Sequence, residues 1–438
     1  DNNKHKKYWR YPKMNFTQNE KISQVTNETL VVGIDISSEN HYVRAFDWRG
    51  IELSKTFKFE STSYGFKRLM EWLDETCKSN SKTKVIMGAE PTGHYWFTLA
   101  EYLKENNIKF VFVNPMHVKR TKELDDNHPS KNDRKDTKVI AKLVIEGRYL
   151  IPYIPEDIYA ELRVANERRM RITREIVAIK NRIQRWFAIY FPEYTHVFGS
   201  WECDSSIEVL RNCPLPADVM SLGAEDINQL WREKKIRAVG IKRANALIET
   251  AKTSVGVKNG ANAARFEMSM LIEDYLIKKE QEARIIEILK TLCIQVPNSE
   301  KLLSIKGIGI LTVASFFGEV GDIRRFESPK QIQKLAGLAI ANDDSGKHRG
   351  KAGISKRGRK LLRYTLFQAV ISLLMHSPEF RYLHHYYTTR SNNPLKGKQS
   401  KIALCCKLIR VFYAILTKGV EYDSEKLLYD IVRPELAA

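Results

Sequence analysis

Four acidic residues stand where a hard cation could be held. Asp35 closes the apolar run 30–36 (LVVGIDI), and Glu90 follows a second one, 84–89 (KVIMGA). An ionised carboxylate at the end of an apolar strand is costly unless it is paired or binds a metal. In open α/β sheets ligands gather beyond the carboxyl ends of the strands, so acids at two such ends are expected to converge. Asp133 and Asp136 lie three apart at a helix start and share a face. Four carboxylates suit Mg²⁺ or Mn²⁺, not zinc. Two such ions can clamp the attacking and leaving oxygens of a phosphoryl transfer. Each acid also has a plainer role. Asp35 could cap the next turn, and Asp133 and Asp136 could be first-turn acids favoured by the helix dipole. Asp125 and Asp126 read as loop residues. The set of four, in this order on these elements, is more specific than any member.

A second chemistry is possible at Ser345. It sits before a stretch, 346–363, with eight Lys/Arg, no acid and four glycines. A Ser-Gly pair is ordinarily a turn. A serine nucleophile needs activation. Here Lys347, His348, Arg349 and Lys351 could lower its pKa or stabilise a pentavalent phosphate, with Asp343 and Asp344 as proton acceptors. Lys356, Arg357 and Arg359 extend the basic run toward a phosphate backbone. Ser355 is a rival nucleophile, but it precedes a helical pattern and reads better as an N-cap.

These groups need elements to hold them. Residues 29–150 alternate strand and helix patterns. The apolar run at 30–36 is a buried strand. Strands at 41–47 and 52–59 join it, linked by a Trp48-Arg49-Gly50 turn, and should form a hairpin. A helix over 64–77, a strand over 84–89, a helix over 97–105, a strand over 109–114 and a helix over 133–146 follow. Three strands, a helix, then strand–helix units describe a ribonuclease H-like α/β domain. Residues 156–192 read as one long helix. Ile172, Ile176, Ile179, Ile183, Trp186 and Tyr190 make a heptad stripe, which predicts a coiled coil or long bundle helix. Its other faces carry Arg168, Arg169, Arg171, Arg174, Arg182 and Arg185, either solvated or touching phosphate. A second stripe runs through Met268, Leu271, Ile272, Tyr275 and Leu276 to Ile285, Ile288, Leu289 and Leu292, and the two long helices should pack together or across a dimer. A helical insert, about 195–262, separates the two. Residues 303–320 give two helices around Gly307-Ile308-Gly309, similar to a helix-hairpin-helix whose turn offers N–H groups to a phosphate.

Composition limits the function class. With 438 residues the chain is long enough for two or three domains. Its formal charge of +20 suits a polyanion partner. Six cysteines without a C-x-x-C pair suggest neither a zinc site nor a disulfide framework, and fit a reducing cytoplasm. No apolar run reaches the roughly 18 residues of a membrane span. The expected organisation is a flexible basic extension at 1–28, a DEDD domain at 29–150, coiled-coil helices with the insert at 151–296, and a mostly helical C-terminal domain at 297–438.

The residues resemble the DEDD transposases of the insertion-sequence 110 type, the bridge-RNA-guided serine recombinases. The resemblance runs from about Val31 to Asp423. It rests on Gly33-Ile34-Asp35-Ile36-Ser37, Glu90-Pro91-Thr92-Gly93-His94-Tyr95, Asn114-Pro115 and Asp133-Arg134-Lys135-Asp136. In the C-terminal part it rests on Gly307-Ile308-Gly309, Gly337-Leu338, Ser345-Gly346, residues 354–358 (ISKRG), Leu362-Arg363 and residues 406–413. Asn132, Thr137 and Ile340 stand where the family usually has Thr, Ala and Pro. The resemblance implies a RuvC-like domain binding Mg²⁺ through Asp35, Glu90, Asp133 and Asp136. It implies that Ser345 attacks DNA and becomes joined to it. It also implies a noncoding bridge RNA that pairs with donor and target DNA, and a homo-oligomer, dimer or tetramer, in which the acids of one protomer meet the serine of another. The heptad stripe would be a natural dimer contact. A RuvC-type nuclease using water, with Ser345 structural, is the alternative. A third reading is a non-catalytic RNA- or DNA-binding protein with relict acids.

Overall fold

The computed structural model describes residues 16–125, 133–341, 344–345, 348–349, 353–429 and 431. At 125, 133–135, 344, 345, 348 and 349 only the backbone is described. The chain divides into two compact units, Asp1–Ile154 and Pro155–Ala438.

Among the described residues, the first unit is built on a six-stranded sheet. Its elements are α1 (Gln18–Ile22), β1 (Thr29–Asp35), β2 (Asn40–Phe46), β3 (Phe57–Glu60), α2 (Ser63–Ser79), β4 (Lys84–Ala89), α3 (Trp96–Glu105), β5 (Lys109–Val113), α4 (Pro115–Asp125), α5 (Asp133–Ile145) and β6 (Tyr149–Leu150). The strand order is β3-β2-β1-β4-β5-β6. β2 and β3 run antiparallel to their neighbours, β1, β4 and β5 are mutually parallel, and β6 closes the edge antiparallel. The central strands are apolar throughout because both faces are covered. Leu30, Val32 and Ile34 pack with α2 and α3 on one face. Val31, Ile86 and Val111 pack with α5 on the other.

Several details differ from the sequence reading. The expected strand over 52–59 shrinks to β3, with a single bridge joining Glu52 to Phe46. The cause is local: the Ser54 hydroxyl accepts the Ala45 amide at 3.0 Å, and the Asp47 carboxylate accepts the amides of Arg49 and Ile51 at 2.8 Å each. Side chains thus take ladder positions that a partner strand would fill. Asp125, expected in a loop, ends α4. That helix starts at Pro115, with the Asn114 side chain accepting the Met116 amide at 2.9 Å. Residues 16–28, expected within an extension, include α1, and the Lys21 ammonium donates to the Tyr149 carbonyl at 2.7 Å.

The second unit is mostly helical. It contains α6 (Asp157–Tyr190), α7 (Tyr194–Phe198), α8 (Asp204–Asn212), α9 (Pro216–Glu233), α10 (Ile241–Lys252), α11 (Ala261–Ile294), α12 (Ser299–Leu303), α13 (Ile310–Val320) and α14 (Pro329–Leu335). Four two-residue strands follow: β7 (Ile340–Ala341), β8 (Asp344–Ser345), β9 (His348–Arg349) and β10 (Gly353–Ile354). Helices α15 (Lys360–His376), α16 (Pro378–Thr389), α17 (Gly397–Lys418) and α18 (Ser424–Leu428) complete it.

The heptad stripe on α6 is satisfied inside the chain. Ile172, Ile176, Ile179, Ile183 and Trp186 are buried with Met268, Leu271, Ile272 and Tyr275 of α11 and with apolar residues of α7–α10. Of the two arrangements expected for the long helices, the structure shows them packed together within the chain, and a dimer contact through that stripe is corrected: α11 and the insert occupy it. Ile288, placed on the second stripe, is half exposed, whereas Leu289 is buried. Among the described residues no helix is long and apolar enough to cross a membrane. All six cysteines are free thiols.

Candidate active site

The sheet register sets Asp35 and Glu90 at neighbouring strand ends, and the packing of α5 sets the backbone of Asp136 near the end of β1. β1 and β4 pair in parallel up to Ile34 opposite Ala89, so the next positions are Asp35 and Glu90. Alternate residues of a strand share a face. Val31 and Gly33 face α5, and so do Ile86 and Gly88. The same parity puts Asp35 and Glu90 on the α5 side. Helix α5 lies against the strand itself. A Cβ on Gly33 would stand 1.8 Å from the Thr137 carbonyl oxygen, and one on Gly88 would stand 2.4 Å from Val144. Asp136 directly precedes Thr137, so its Cα is fixed near the carboxyl end of β1. Two glycines therefore set how near the acids on α5 come to those on the sheet.

The Lys122 ammonium of α4 forms an ion pair with Asp136. Among the described residues, no three His, Cys, Asp or Glu side chains stand close enough together to hold a metal ion. The side chain of Asp133 lies outside the described residues. The donors are nevertheless all carboxylate oxygens, which fits a hard divalent cation. At Asp136 a lysine ammonium occupies the place such a cation would take.

The serine segment is positioned differently. β7 and β10 pair antiparallel, Ile340 opposite Ile354 and Ala341 opposite Gly353. Beyond them β8 and β9 pair antiparallel, with Ser345 opposite His348 and Asp344 opposite Arg349. The side chains of Ser345 and Arg349, together with Asp343, Lys347 and Lys351 as a whole, lie outside the described residues. The root of this segment is tied by backbone contacts. The amides of Ser355, Lys356 and Arg359 donate to the carbonyls of Ala339, Gly337 and Leu335, at 2.8, 3.0 and 2.7 Å. Gly358 packs so closely that a Cβ there would lie 2.4 Å from the Leu335 oxygen. Arg363 donates to the Ala336 carbonyl at 2.8 Å. Ser355 thus belongs to the paired root. It is not the expected N-cap, because α15 starts five residues later with Arg359 before it.

One anchor escaped the sequence reading. Glu319, in the last turn of α13, is 4% exposed. Its carboxylate faces the Arg359 guanidinium at 3.5 Å. Burial pushes its pKa up, against the opposing pull of Arg359 and Arg163. A glutamate inside the apolar run 310–320 was the available signal. The same helix carries Ser315, whose hydroxyl donates to buried Asn166 at 2.8 Å and accepts from Arg169 at 3.2 Å. Arg169 therefore faces inward, half-buried, and is corrected from the basic face of α6. Burial lowers its pKa. Arg168, Arg171, Arg174, Arg182 and Arg185 are exposed, as are Lys356 and Arg357. Arg359, expected to meet phosphate, instead joins Glu319. Helices α12 and α13 do flank Gly307 and Gly309. Gly307 has φ +97°, and a Cβ there would lie 3.2 Å from the Ser372 carbonyl oxygen of α15, which gives it a packing reason. Gly309 caps α13 with open space beside it.

Known proteins share this arrangement of sequence. A family model for DEDD transposases of the IS110 type matches residues 32–192. A second, for transposases of the IS116/IS110/IS902 family, matches residues 299–385. The 44.8 kDa protein of insertion element IS116 from Streptomyces clavuligerus is 23% identical over 395 residues, covering 89% of this chain and 95% of its own. The pilin gene-inverting protein of Moraxella bovis is 22% identical over 402 residues, covering 90% and 97%. The transposase for insertion sequence element IS1111A from Coxiella burnetii is 30% identical over 141 residues, 31% of this chain and 37% of its own. The two matched spans hold Asp35, Glu90, Asp133 and Asp136 in one and Ser345 in the other, and the chain belongs to the IS110/IS116 family of DEDD transposases.

Proposed function

We propose that this chain cuts and rejoins DNA of a mobile element through a covalent link to Ser345. The observation that carries the reading is the register of β1 and β4, which sets Asp35 beside Glu90 on the face where α5 presents Asp136. The order of strands, three antiparallel and then two parallel, supports a RuvC-like, ribonuclease H-type unit. Relatives named as transposases and as a gene-inverting protein support DNA rearrangement as the activity.

In this reading the Ser345 hydroxyl attacks a DNA phosphorus. A new Oγ–P bond forms, and the bond from phosphorus to one deoxyribose oxygen breaks. The serine proton passes to a base, for which Asp343 and Asp344 are the nearest acids in sequence. The departing deoxyribose oxygen takes up a proton. Attack by a hydroxyl of the other partner DNA reverses the exchange and restores the serine. The cations of the basic run, Lys347, Arg349 and Lys351, balance charge on the phosphate. Asp35, Glu90, Asp133 and Asp136 would hold Mg²⁺ or Mn²⁺, which supplies Lewis-acid stabilisation of charged phosphate oxygens. Lys122 would have to release Asp136 for that.

The family resemblance adds a noncoding bridge RNA that base-pairs with donor and target DNA. The exposed Arg168, Arg171 and Arg174, together with Gly309, Lys356 and Arg357, would then meet backbone phosphates and not bases. It also adds a homo-oligomer whose sites combine acids and serine from different protomers. The test uses the protein with its cognate RNA, DNA and Mg²⁺. Ser345→Ala and Asp35→Asn should each abolish strand cleavage. Cleavage that survives Ser345→Ala would instead indicate a water-attacking nuclease.

A further inference from the structure

The first unit carries a groove that the proposed chemistry does not use. It has a volume of about 490 Å³ and runs between α5 and the turn that follows β2. Lys138, Lys142 and Arg49 line it, over a floor of Phe46 and Ile145. Lys138 and Lys142 are one helical turn apart, a rise of about 6 Å, comparable to the separation of successive phosphates along a strand. Arg49 is held in place: its guanidinium bonds Asp47 at 2.8 Å, and Asp47 is 3% exposed. Glu146 also lines the groove, and its carboxylate pairs with Arg148 at 3.2 Å.

The turn contributes a flat apolar surface as well. Trp48 is 44% exposed, and the Arg49 guanidinium stands 5.7 Å from its ring. Nearly half of this large aromatic, on a tight turn, is left open to solvent. Trp48 does not line the groove itself but directly precedes Arg49, which does, and an aromatic beside such cations can serve as a stacking platform, the combination that holds unpaired nucleic acid. A duplex offers no free base face for it.

We propose that this groove binds an unpaired nucleic-acid strand, with Lys138, Lys142 and Arg49 on consecutive phosphates and Trp48 stacked on a base. Because α5 begins at Asp133 and Asp136, the row of cations leads along that helix away from the carboxylates. It would hold the strand on one side of the acids while leaving them open. The groove stands on its own geometry and does not require the serine chemistry.

The test is equilibrium binding of the full chain, without metal, to fluorescein-labelled oligonucleotides read by anisotropy. Single-stranded DNA, single-stranded RNA and duplex DNA are compared. Trp48→Ala should weaken one or both single strands at least fivefold, leave the duplex within twofold, and be rescued by Trp48→Phe. Whichever single strand loses more is the one the groove takes. Lys138→Ala with Lys142→Ala should reduce the slope of log K against log salt by about 1.4 for that strand. The variants' unfolding midpoints are measured alongside. Equal losses on duplex and single strands, or unchanged binding in correctly folded variants, would overturn the proposal.

Discussion

At the carboxylate end of the first unit, each acid is fixed by an element that the core surrounds. β1 and β4 are covered on both faces, and α5 lies within backbone contact of Gly33. In the second unit, Ser345 sits on a ladder of two-residue strands, and among the described residues the contacts that hold this segment lie at its root, at 335–341 and 353–363. The acids are thus placed by close packing and the serine by a tether. Packed interiors resist displacement, whereas a short ladder can be ordered by whatever it contacts. This difference suits chemistry in which the serine must meet DNA that is not yet in place, while the backbone that carries the acids is already fixed and Lys122 has only to release Asp136.

The sharpest way to break the comparison is to disturb the packing under the acids. Gly33→Ala places a methyl group inside the Thr137 carbonyl. It should destabilise the first unit by about 3 kcal/mol or more, at the upper end for overpacking, and abolish cleavage. A thermal melt that resolves the two units checks this. An unperturbed melt would mean that α5 is not held against β1.

The next effect concerns pH. His41 is fully buried among Phe59 and Phe66, with no partner on either ring nitrogen. Burial lowers its pKa from 6.5 to about 4. The unfolded chain therefore takes up the proton first. Stability should fall as pH drops from about 6.5 to about 4, by a total of about 3 kcal/mol. His41→Phe should flatten that slope in a denaturant titration repeated across the pH range, without altering the second unit.

At the tether, Glu319→Gln removes the charge facing Arg359 but keeps the shape. Because burial disfavours the ionised form, the fold should lose no more than about 1 kcal/mol. Cleavage should slow by up to roughly 10²-fold if the root sets the serine's approach. A matched loss of stability and rate would reduce Glu319 to a structural role. The smallest effect is expected at Ser355→Ala. Ser355 contributes its backbone amide to the root, so stability should change by less than about 0.5 kcal/mol and cleavage should persist.

The two regions also differed in how far their sequence could be read. β4 follows from its unbroken apolar run, covered on both faces, and α3 and α5 follow from apolar periodicity along a packed face. Asp35 and Glu90 were legible because a charge that closes an apolar strand is costly unless a partner or a cation balances it. The heptad stripe was legible as a buried face, but periodicity does not say what covers it, and α11 with α7–α10 does so within the chain. Arg169 was misplaced because a long arginine among others gives no sign of turning toward Ser315. The pairing of Glu319 with Arg359 joins residues forty apart, which no local pattern reveals. For Ser345, composition offered only a turn in a basic loop. The role proposed for it rests on the resemblance, and the ladder adds only its backbone place opposite His348.

The central claim is that Ser345 becomes covalently joined to DNA. The protein is incubated with its cognate RNA, end-labelled DNA and Mg²⁺, then denatured, digested and mapped by mass spectrometry for the peptide that carries nucleotide. The account predicts a single adduct on Ser345. It should be absent from Ser345→Ala and retained in Ser355→Ala. An adduct on any other residue, or an active reaction that leaves no adduct, would contradict it.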